Sequence, residues 1–244
     1  MKFIKNNNET NGLIFVFMLL FLLNVTLASA QTSNFRSNPN YKLQLDLYDI
    51  YKLKQADVVM LGNSLTHGAN WNELLGRPNV VERGIVSDVL AGFAARLYYV
   101  TKLKPKIVFI LGGLNDIYNW IPVETIYQDY IKIIEELKRN KITPVIQSTL
   151  YAGRDWGKEW LEANRPDLDV PKYNGERNTQ VDKLNEMLSN FAKVNQIEFI
   201  DINSKLSRDG YLKPEVTYDG AHLNANGYKI WAEEVDKVLR KKGM

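Results

Sequence analysis

Four short segments of the chain carry groups that could together perform acyl transfer. In chain order they supply Ser64, Gly84, Asn115 and the pair Asp219 and His222. An imidazole that takes the proton of a serine hydroxyl turns it into a nucleophile, and a carboxylate can hold that imidazole in the correct tautomer. Backbone N–H groups and an amide side chain can stabilise the oxyanion that forms. Each segment is weak evidence alone, but the ordered set has every part of a serine hydrolase.

Ser64 is the candidate nucleophile. It follows a short apolar segment and lies between Gly62 and Gly68, which predicts a tight strand-to-helix turn with an exposed hydroxyl. A serine in such a turn can also be an ordinary turn or capping residue.

The chain has two histidines, so the choice of catalytic base is narrow. An imidazole can take the proton of a serine, so His222 is the candidate base, and Asp219, three residues earlier, can bond its second ring nitrogen. His67 lies three residues from Ser64, too close along one turn to be oriented by an independent acid. We therefore assign His67 a structural or substrate-contact role. The alternative for His222 is a histidine that merely flanks a helix.

Three groups could stabilise the oxyanion: the N–H of Ser64, the N–H of Gly84 and the amide of Asn115. Gly84 has no side chain, so a carbonyl oxygen could approach its N–H closely. Asn115 follows Gly112 and Gly113, which would leave its amide accessible. The alternatives are an ordinary turn glycine and a loop-capping asparagine.

Strand-like and helix-like segments alternate along most of the chain. Apolar spacing predicts a first helix at residues 41–54 that buries Leu43, Leu47, Ile50 and Leu53. The predicted strands are 56–61, 79–82, 106–111, 142–149 and 197–202. The other predicted helices are 123–139, 181–194, 226–239 and one that is capped by Ser87 or Asp88 and ends at residue 101.

Fully apolar strands between amphipathic helices predict a parallel sheet covered on both faces. We expect an α/β fold, a three-layer α/β/α sandwich with five parallel strands. Ligands bind at the carboxyl ends of such strands, where the first three chemical segments lie. Residues 151–178 are predicted to form a long irregular loop, and loops of that length tend to be functional.

The ordered segments resemble those of the GDSL-type esterases, also called SGNH hydrolases. The resemblance implies a flavodoxin-like sandwich that hydrolyses esters or thioesters without a metal or other cofactor. It implies that Ser64, Asp219 and His222 form the catalytic triad. It also implies that Ser64, Gly84 and Asn115 form the oxyanion hole.

The first segment departs from the usual pattern of that family. The family has Gly-Asp-Ser, whereas this chain has Gly62, Asn63 and Ser64. The change keeps the shape of the side chain and alters no catalytic residue type, so we expect activity to survive. This variant is similar to exported bacterial sialate O-acetylesterases and to platelet-activating-factor acetylhydrolases, which is the only basis for expecting an acetyl group.

Four tryptophans indicate a sugar substrate. Flat indole faces suit sugar rings, so a carbohydrate ester is the preferred substrate, although aromatic residues more often pack in cores. Trp231, in the last predicted helix, is expected in the core. The four candidates are Trp71, Trp120, Trp156 and Trp160.

Two other functions stay open on the sequence. A lysophospholipase or thioesterase of the same family would need an apolar acyl tunnel, and no strongly apolar loop lies outside the strands. A non-catalytic glycan-binding module with this fold would be expected to have lost a catalytic residue.

Composition limits the remaining possibilities. The 244 residues contain no cysteine and carry a net charge of +3 without a basic block, so we expect no nucleic-acid partner. Residues 1–30 read as a signal peptide, with an apolar stretch of about 15 residues, short of the roughly 20 that span a bilayer. An uncleaved anchor is the alternative. We expect one domain at residues 31–244, periplasmic or secreted, acting on a small-molecule or glycan ester.

Overall fold

The structure is a computed structural model that describes residues 34–244. Five parallel strands form its central sheet, in the order β2-β1-β3-β4-β5. Every residue of β1 and β3 is buried, because apolar side chains leave both faces of these central strands. The strands are β1 (Val58–Gly62), β2 (Val80–Gly84), β3 (Ile107–Leu111), β4 (Thr143–Gln147) and β5 (Glu198–Ile200).

Helices connect these strands and cover both faces of the sheet. They are α1 (Pro39–Ile50), α2 (Ser64–His67), α3 (Trp71–Leu74), α4 (Leu90–Ala95), α5 (Tyr98–Thr101), α6 (Leu114–Tyr118), α7 (Val123–Arg139), α8 (Lys158–Asn164), α9 (Val170–Val194), α10 (Asn203–Leu206) and α11 (Ala225–Lys241). Two short 3-10 helices (Phe35–Ser37 and Pro214–Val216) and an antiparallel pair, β6 (Ser207–Arg208) with β7 (Tyr211–Leu212), complete the described elements.

Alternate residues of one strand belong to different cores. Val59 and Leu61 of β1 pack in the core that includes α4, α7 and α9. Val58 and Met60 pack in the opposite core, with α3 and α11. Each fully buried aliphatic side chain contributes about 1.5–3 kcal/mol, so the two layers hold the sheet from both sides. The predicted three-layer α/β/α sandwich with five parallel strands is confirmed.

The strand register brings the chemical segments to one edge. Gly62 pairs with Gly84 on one side and with Leu111 on the other. The chain therefore leaves β1, β2 and β3 at the same level, since all three run parallel. Ser64, the loop after Gly84, and Asn115 begin from that shared edge.

The first helix buries a different face from the one predicted. Tyr41 and Tyr48 are its buried residues. Their hydroxyls donate to the carbonyls of Gly92 and Gly84. The four leucines and isoleucines expected in the core are exposed; these are Leu43, Leu47, Ile50 and Leu53.

Much of the predicted loop at 151–178 is helical. Helix α9 begins at Val170, where the Asp169 carboxylate accepts the N–H of Lys172 at 3.0 Å and a proline occupies the first turn. Its first turns bury polar side chains, among them Asn174 and Asn178, which hydrogen-bond the strand-end loops. A buried polar face gives no apolar periodicity, so the pattern could not reveal this part of the helix.

The predicted helix ending at residue 101 is two short helices, α4 and α5, separated at Arg96 and Leu97. Neither Ser87 nor Asp88 caps it; the capping position of α4 is Val89. No helix within residues 34–244 is long and apolar enough to cross a membrane. The predicted signal peptide at residues 1–30 lies outside the described residues.

Candidate active site

The nucleophile turn begins directly after β1. Asn63 is buried and caps α2, since its side-chain oxygen accepts the N–H of Leu65 at 3.0 Å. An aspartate oxygen could accept the same bond, which explains how asparagine replaces aspartate without changing the turn. The Tyr228 hydroxyl donates to the Leu65 carbonyl at 2.8 Å and holds α2 from the side of α11. Ser64 is thus the first residue of a fixed helical turn.

Ser64, His222 and Asp219 form a continuous hydrogen-bonded relay. His222 Nε2 lies 3.1 Å from the Ser64 hydroxyl oxygen. His222 Nδ1 lies 2.7 Å from one oxygen of Asp219. These three side chains come from opposite ends of the chain and meet at the carboxyl edge of the sheet. The distances allow proton transfer from Ser64 to the imidazole.

The carboxylate of Asp219 is held by its own loop. Its second oxygen accepts the N–H groups of Ala221 at 2.8 Å and His222 at 2.7 Å. Burial acts to raise the pKa of Asp219, but the hydrogen bonds from His222 and Ala221 outweigh burial and lower it. Asp219 therefore stays ionised and can stabilise a protonated imidazole.

Two of the expected oxyanion donors have free hydrogens. The N–H of Ser64 makes no hydrogen bond within residues 34–244, as is usual for the first turn of a helix. The amide nitrogen of Asn115 donates one hydrogen to the carbonyl of Asp88 at 2.8 Å. Its second hydrogen is available to a ligand, and the first bond fixes the plane of the amide.

The structure differs from the expectation at Gly84. Its N–H donates to the carboxylate of Glu82 rather than being free for an oxyanion. A Cβ placed on Gly84 would lie 2.5 Å from His67 N and 2.6 Å from Asn63 O. Glycine is therefore required here for β2 to approach the backbone of the nucleophile turn, a packing reason that the sequence did not show.

Ser87, in the loop after Gly84, has a backbone N–H that is free among the described residues, whereas the sequence suggested only a helix cap at this position. Ser87 has a φ of 60°, a left-handed conformation that is uncommon for a residue with a side chain. Its N–H makes no hydrogen bond within the described part of the chain. The N–H of Ser87 is therefore free, whereas the N–H of Gly84 is bonded to Glu82. No pattern in the sequence marks a serine as left-handed.

His67 does not join the relay. Its Nδ1 lies 3.7 Å from the carboxylate of Glu82. The nearby Glu82 carboxylate raises the pKa of His67, although burial opposes the effect. His67 and Glu82 thus form a charged pair beside the nucleophile turn.

An aromatic wall lies next to the loop that carries Asp219 and His222, residues 217–222, which we call the base loop. The wall consists of Tyr118, Trp156, Trp160 and Tyr173. Trp156 is its centre, with ring centroids 6.2 Å from Tyr118 and 5.6 Å from Trp160 and from Tyr173. A Cβ on Gly220, which has a φ of 84°, would lie 2.9 Å from Trp156. The wall therefore packs against the loop between Asp219 and His222.

Arg177 supports the aromatic wall from behind. Its guanidinium carbon lies 3.4 Å from the ring centre of Tyr173 and 4.6 Å from that of Trp120. Stacking of this kind is favourable for a buried cation. Trp120 and Trp160, each about half exposed, present indole surface to solvent.

Trp71 does not face a ligand. It is buried, donates its indole N–H to the carbonyl of Thr66 at 2.8 Å, and packs edge-on against Trp231. The expectation that Trp71 contacts a sugar is wrong, because its indole fills the core between α3 and α11. Trp231 is fully buried, as predicted.

A parallel sheet with hydrogen-bonded serine, histidine and aspartate side chains at its carboxyl edge is the arrangement of a hydrolase. The chain belongs to the GDSL-like Lipase/Acylhydrolase family, whose model matches residues 60–230. It is therefore an ester hydrolase by family.

Individual proteins that resemble the chain have low sequence identity to it. The chain is 28% identical over 189 residues to an N-acylneuraminate cytidylyltransferase of Streptococcus agalactiae, which covers 75% of this chain and 40% of that protein. The chain thus spans less than half the length of this curated relative.

Two solved structures illustrate the shared fold. A GDSL-like lipase from Bacteroides thetaiotaomicron superposes with a TM-score of 0.67 at 24% identity, covering 83% of this chain and 98% of the other. A carbohydrate acetylesterase from Sinorhizobium meliloti gives a TM-score of 0.56 at 16% identity, with 76% and 99% covered.

Proposed function

We propose that the chain is an exported serine esterase that removes short acyl groups, acetyl above all, from carbohydrate esters. The observation that carries the proposal is the relay of Ser64, His222 and Asp219, with contacts of 3.1 and 2.7 Å. This order of contacts is the one that a nucleophile, its base and an orienting carboxylate require.

In the proposed mechanism His222 takes the proton of Ser64 as the hydroxyl attacks the ester carbonyl. The N–H of Ser64 and the free amide hydrogen of Asn115 donate hydrogen bonds that stabilise the negative charge developing on the carbonyl oxygen. The protonated imidazole, stabilised by Asp219, then protonates the leaving alcohol. Water repeats the same steps on the acyl-enzyme and releases the acid.

The position of Gly84 modifies this mechanism. Its N–H can join the oxyanion hole only when the carboxylate of Glu82 turns away, because one N–H cannot serve both acceptors. We therefore assign the first two donor positions to Ser64 and Asn115. Gly84 keeps the nucleophile turn seated against β2.

A carbohydrate alcohol is supported by the aromatic wall beside the base loop. Trp156 packs on Gly220, so the wall flanks the position from which a leaving alcohol departs. Aromatic faces bind the apolar faces of sugar rings. The Streptococcus agalactiae relative is named for a reaction of N-acylneuraminate, itself a sugar, and the fold also carries a carbohydrate acetylesterase.

The first test is hydrolysis of p-nitrophenyl acetate, butyrate and octanoate by the chain without residues 1–30. We expect turnover that is highest on acetate and that is lost in Ser64→Ala. Ser204→Ala, which removes an exposed hydroxyl on α10, is the matched control and should keep full activity. Turnover that survives Ser64→Ala would remove Ser64 as the nucleophile.

The same assay separates the alternatives. Highest turnover on octanoate would indicate a lysophospholipase or thioesterase. Binding of acetylated glycans without hydrolysis of any ester would indicate a glycan-binding module instead.

The carbohydrate part of the proposal has its own test. Trp156→Ala should raise KM for an O-acetylated sugar about 3- to 10-fold while leaving KM for p-nitrophenyl acetate unchanged, since an aromatic contact contributes about 0.5–1.5 kcal/mol. Tyr98→Ala removes an exposed aromatic ring on α5 and is the control. Equal effects of Trp156→Ala on both substrates would contradict a sugar-binding wall.

Export is a separate part of the proposal. It depends on the apolar stretch and the Ala-Ser-Ala sequence at residues 28–30. Amino-terminal sequencing of the protein recovered outside the bacterial cytoplasm should begin at Gln31. A start at Met1 would favour an uncleaved anchor.

A further inference from the structure

A buried ion pair lies behind the oxyanion side of the site. Nε of Arg96 donates to the carboxylate of Asp88 at 2.8 Å, and neither side chain is exposed. Arg96 lies where α4 ends, and Asp88 precedes that helix. Neither residue belongs to the relay of Ser64, His222 and Asp219.

The two remaining nitrogens of the Arg96 guanidinium hold the ends of two strands. One donates to the carbonyl of Gly62 at 2.9 Å, at the end of β1. The other donates to the carbonyl of Arg83 at 3.0 Å, in the peptide group that also contains the Gly84 N–H. A single rigid group therefore fixes the spacing between the nucleophile segment and the segment after β2.

Asp88 extends this connection to the third segment. Its backbone carbonyl accepts the amide of Asn115 at 2.8 Å. One of its carboxylate oxygens accepts the N–H of Val89 at 3.0 Å. This bond fixes the peptide group between Asp88 and Val89, which contains the carbonyl that Asn115 contacts. The pair thus touches the segments that carry Ser64, Gly84 and Asn115.

We propose that Arg96 and Asp88 are positioning residues for the esterase reaction, which set the oxyanion donors relative to Ser64. This inference rests on the proposed function. A buried ion pair is weak evidence for stability, because desolvation offsets most of its attraction. The guanidinium instead serves geometry, because it bonds the ends of β1 and β2 and also Asp88, whose carbonyl holds Asn115. Errors of about 1 Å in a catalytic geometry cost on the order of 100-fold in rate.

The test uses conservative variants of both residues. Arg96→Lys keeps the charge but cannot bridge two carbonyls and a carboxylate, and Asp88→Asn keeps the shape but loses the charge. We expect each to lower kcat for p-nitrophenyl acetate about 10- to 100-fold with KM changed less than about 3-fold. The matched control is Arg77→Lys. Arg77 forms an ion pair of 2.8 Å with Asp236, and this pair lies away from the site. The control variant should leave kcat unchanged.

A double-mutant cycle with Asn115→Ala shows whether the effect passes through the oxyanion hole. If it does, Arg96→Lys should lower kcat far less in the Asn115→Ala background than in the natural protein. Equal fold-losses in both backgrounds would overturn the proposal. So would unchanged kcat in both single variants, or variants that all fail to fold by circular dichroism, which would make the pair a scaffold alone.

The proposed function and this inference fail in different ways. A natural protein without esterase activity, or one unaffected by Ser64→Ala, would remove the reaction itself. An active natural protein with active Arg96→Lys and Asp88→Asn variants would remove only the positioning role.

Discussion

The two sides of the active site are built in opposite ways. The base loop, residues 217–222, is shaped by short-range side-chain hydrogen bonds: Thr217 accepts the N–H of Gly220 at 2.9 Å and donates to the His222 carbonyl at 2.6 Å. Asp219 and His222 keep about a third of their side chains exposed. The pair of Arg96 and Asp88 is fully buried and bonds to residues as far as 34 positions away.

We therefore expect the base loop to supply the reacting groups and the buried pair to set their positions. A loop that organises itself can lose a side chain without disturbing the sheet, so its variants should lose rate and keep stability. The buried pair joins strand ends, so its variants should affect rate through the position of other groups. Asp219→Asn changes the base loop, and Asn115→Ala changes the oxyanion side that the buried pair supports.

The largest effect is expected from Asp219→Asn. The amide can no longer hold the imidazole in the correct tautomer or stabilise its positive form, so kcat should fall on the order of 10,000-fold. The midpoint of thermal unfolding should change little, because the contacts of Asp219 are local and partly exposed. Steady-state kinetics and a melting curve check both, with the exposed Asp209→Asn as control. A loss of less than 10-fold would remove Asp219 from the triad.

A smaller effect is expected from Asn115→Ala. Loss of one oxyanion donor costs about 2.7–4 kcal/mol of barrier, so kcat should fall roughly 100- to 1000-fold. The matched control is Asn119→Ala, directly after α6, whose exposed amide donates only to the backbone carbonyl of Asn115, at 2.9 Å. Unchanged turnover in Asn115→Ala would show that its amide stabilises no charge in the transition state.

The same contrast decides what could be predicted from the sequence. Asp219 and His222 lie three residues apart and Ser64 lies in a glycine-flanked turn, so local spacing made them candidates, and the resemblance to a known family joined them into one relay. The sheet was predictable above all from β1 and β3, because each is a continuous buried apolar segment. Every one of these signals is contained in a few neighbouring residues.

What was missed depends on contacts between distant segments. Arg96 reads as a surface residue of a helix, and nothing near it in the sequence indicates that it bonds Gly62 and Arg83. Likewise, Tyr48 is buried in α1 while Leu47 is exposed, because a hydroxyl could reach the carbonyl of Gly84. Residue type alone predicted the reverse.

Gly84 lies between the nucleophile turn and the strand end that Arg96 holds. Gly84→Ala would place a Cβ against the backbone of the nucleophile turn, and we expect overpacking to lower the free energy of unfolding by about 1–3 kcal/mol. Gly157→Ala is the matched control, since open space surrounds Gly157. Urea unfolding measures both. An alanine tolerated at 84 with full stability would contradict the packing role.

The smallest effect concerns the charged pair beside the nucleophile turn. The nearby Glu82 carboxylate raises the pKa of His67, so the folded state holds the proton more tightly than the unfolded chain. The pair therefore contributes its full stability below the ordinary histidine pKa of 6.5 and loses it as the pH rises through the higher folded value. Glu82→Gln should lower the pKa of His67 and flatten this part of the stability curve.

Proton NMR can follow the pair directly, because the chain has two histidines. Titration of the imidazole signals, with His222→Gln to assign them, should show the His67 signal moving to a lower midpoint in Glu82→Gln. An unchanged midpoint would mean that Glu82 is not bonded to His67 in solution. The Gly84 N–H would then remain the partner of the Glu82 carboxylate, which would keep Gly84 out of the oxyanion hole.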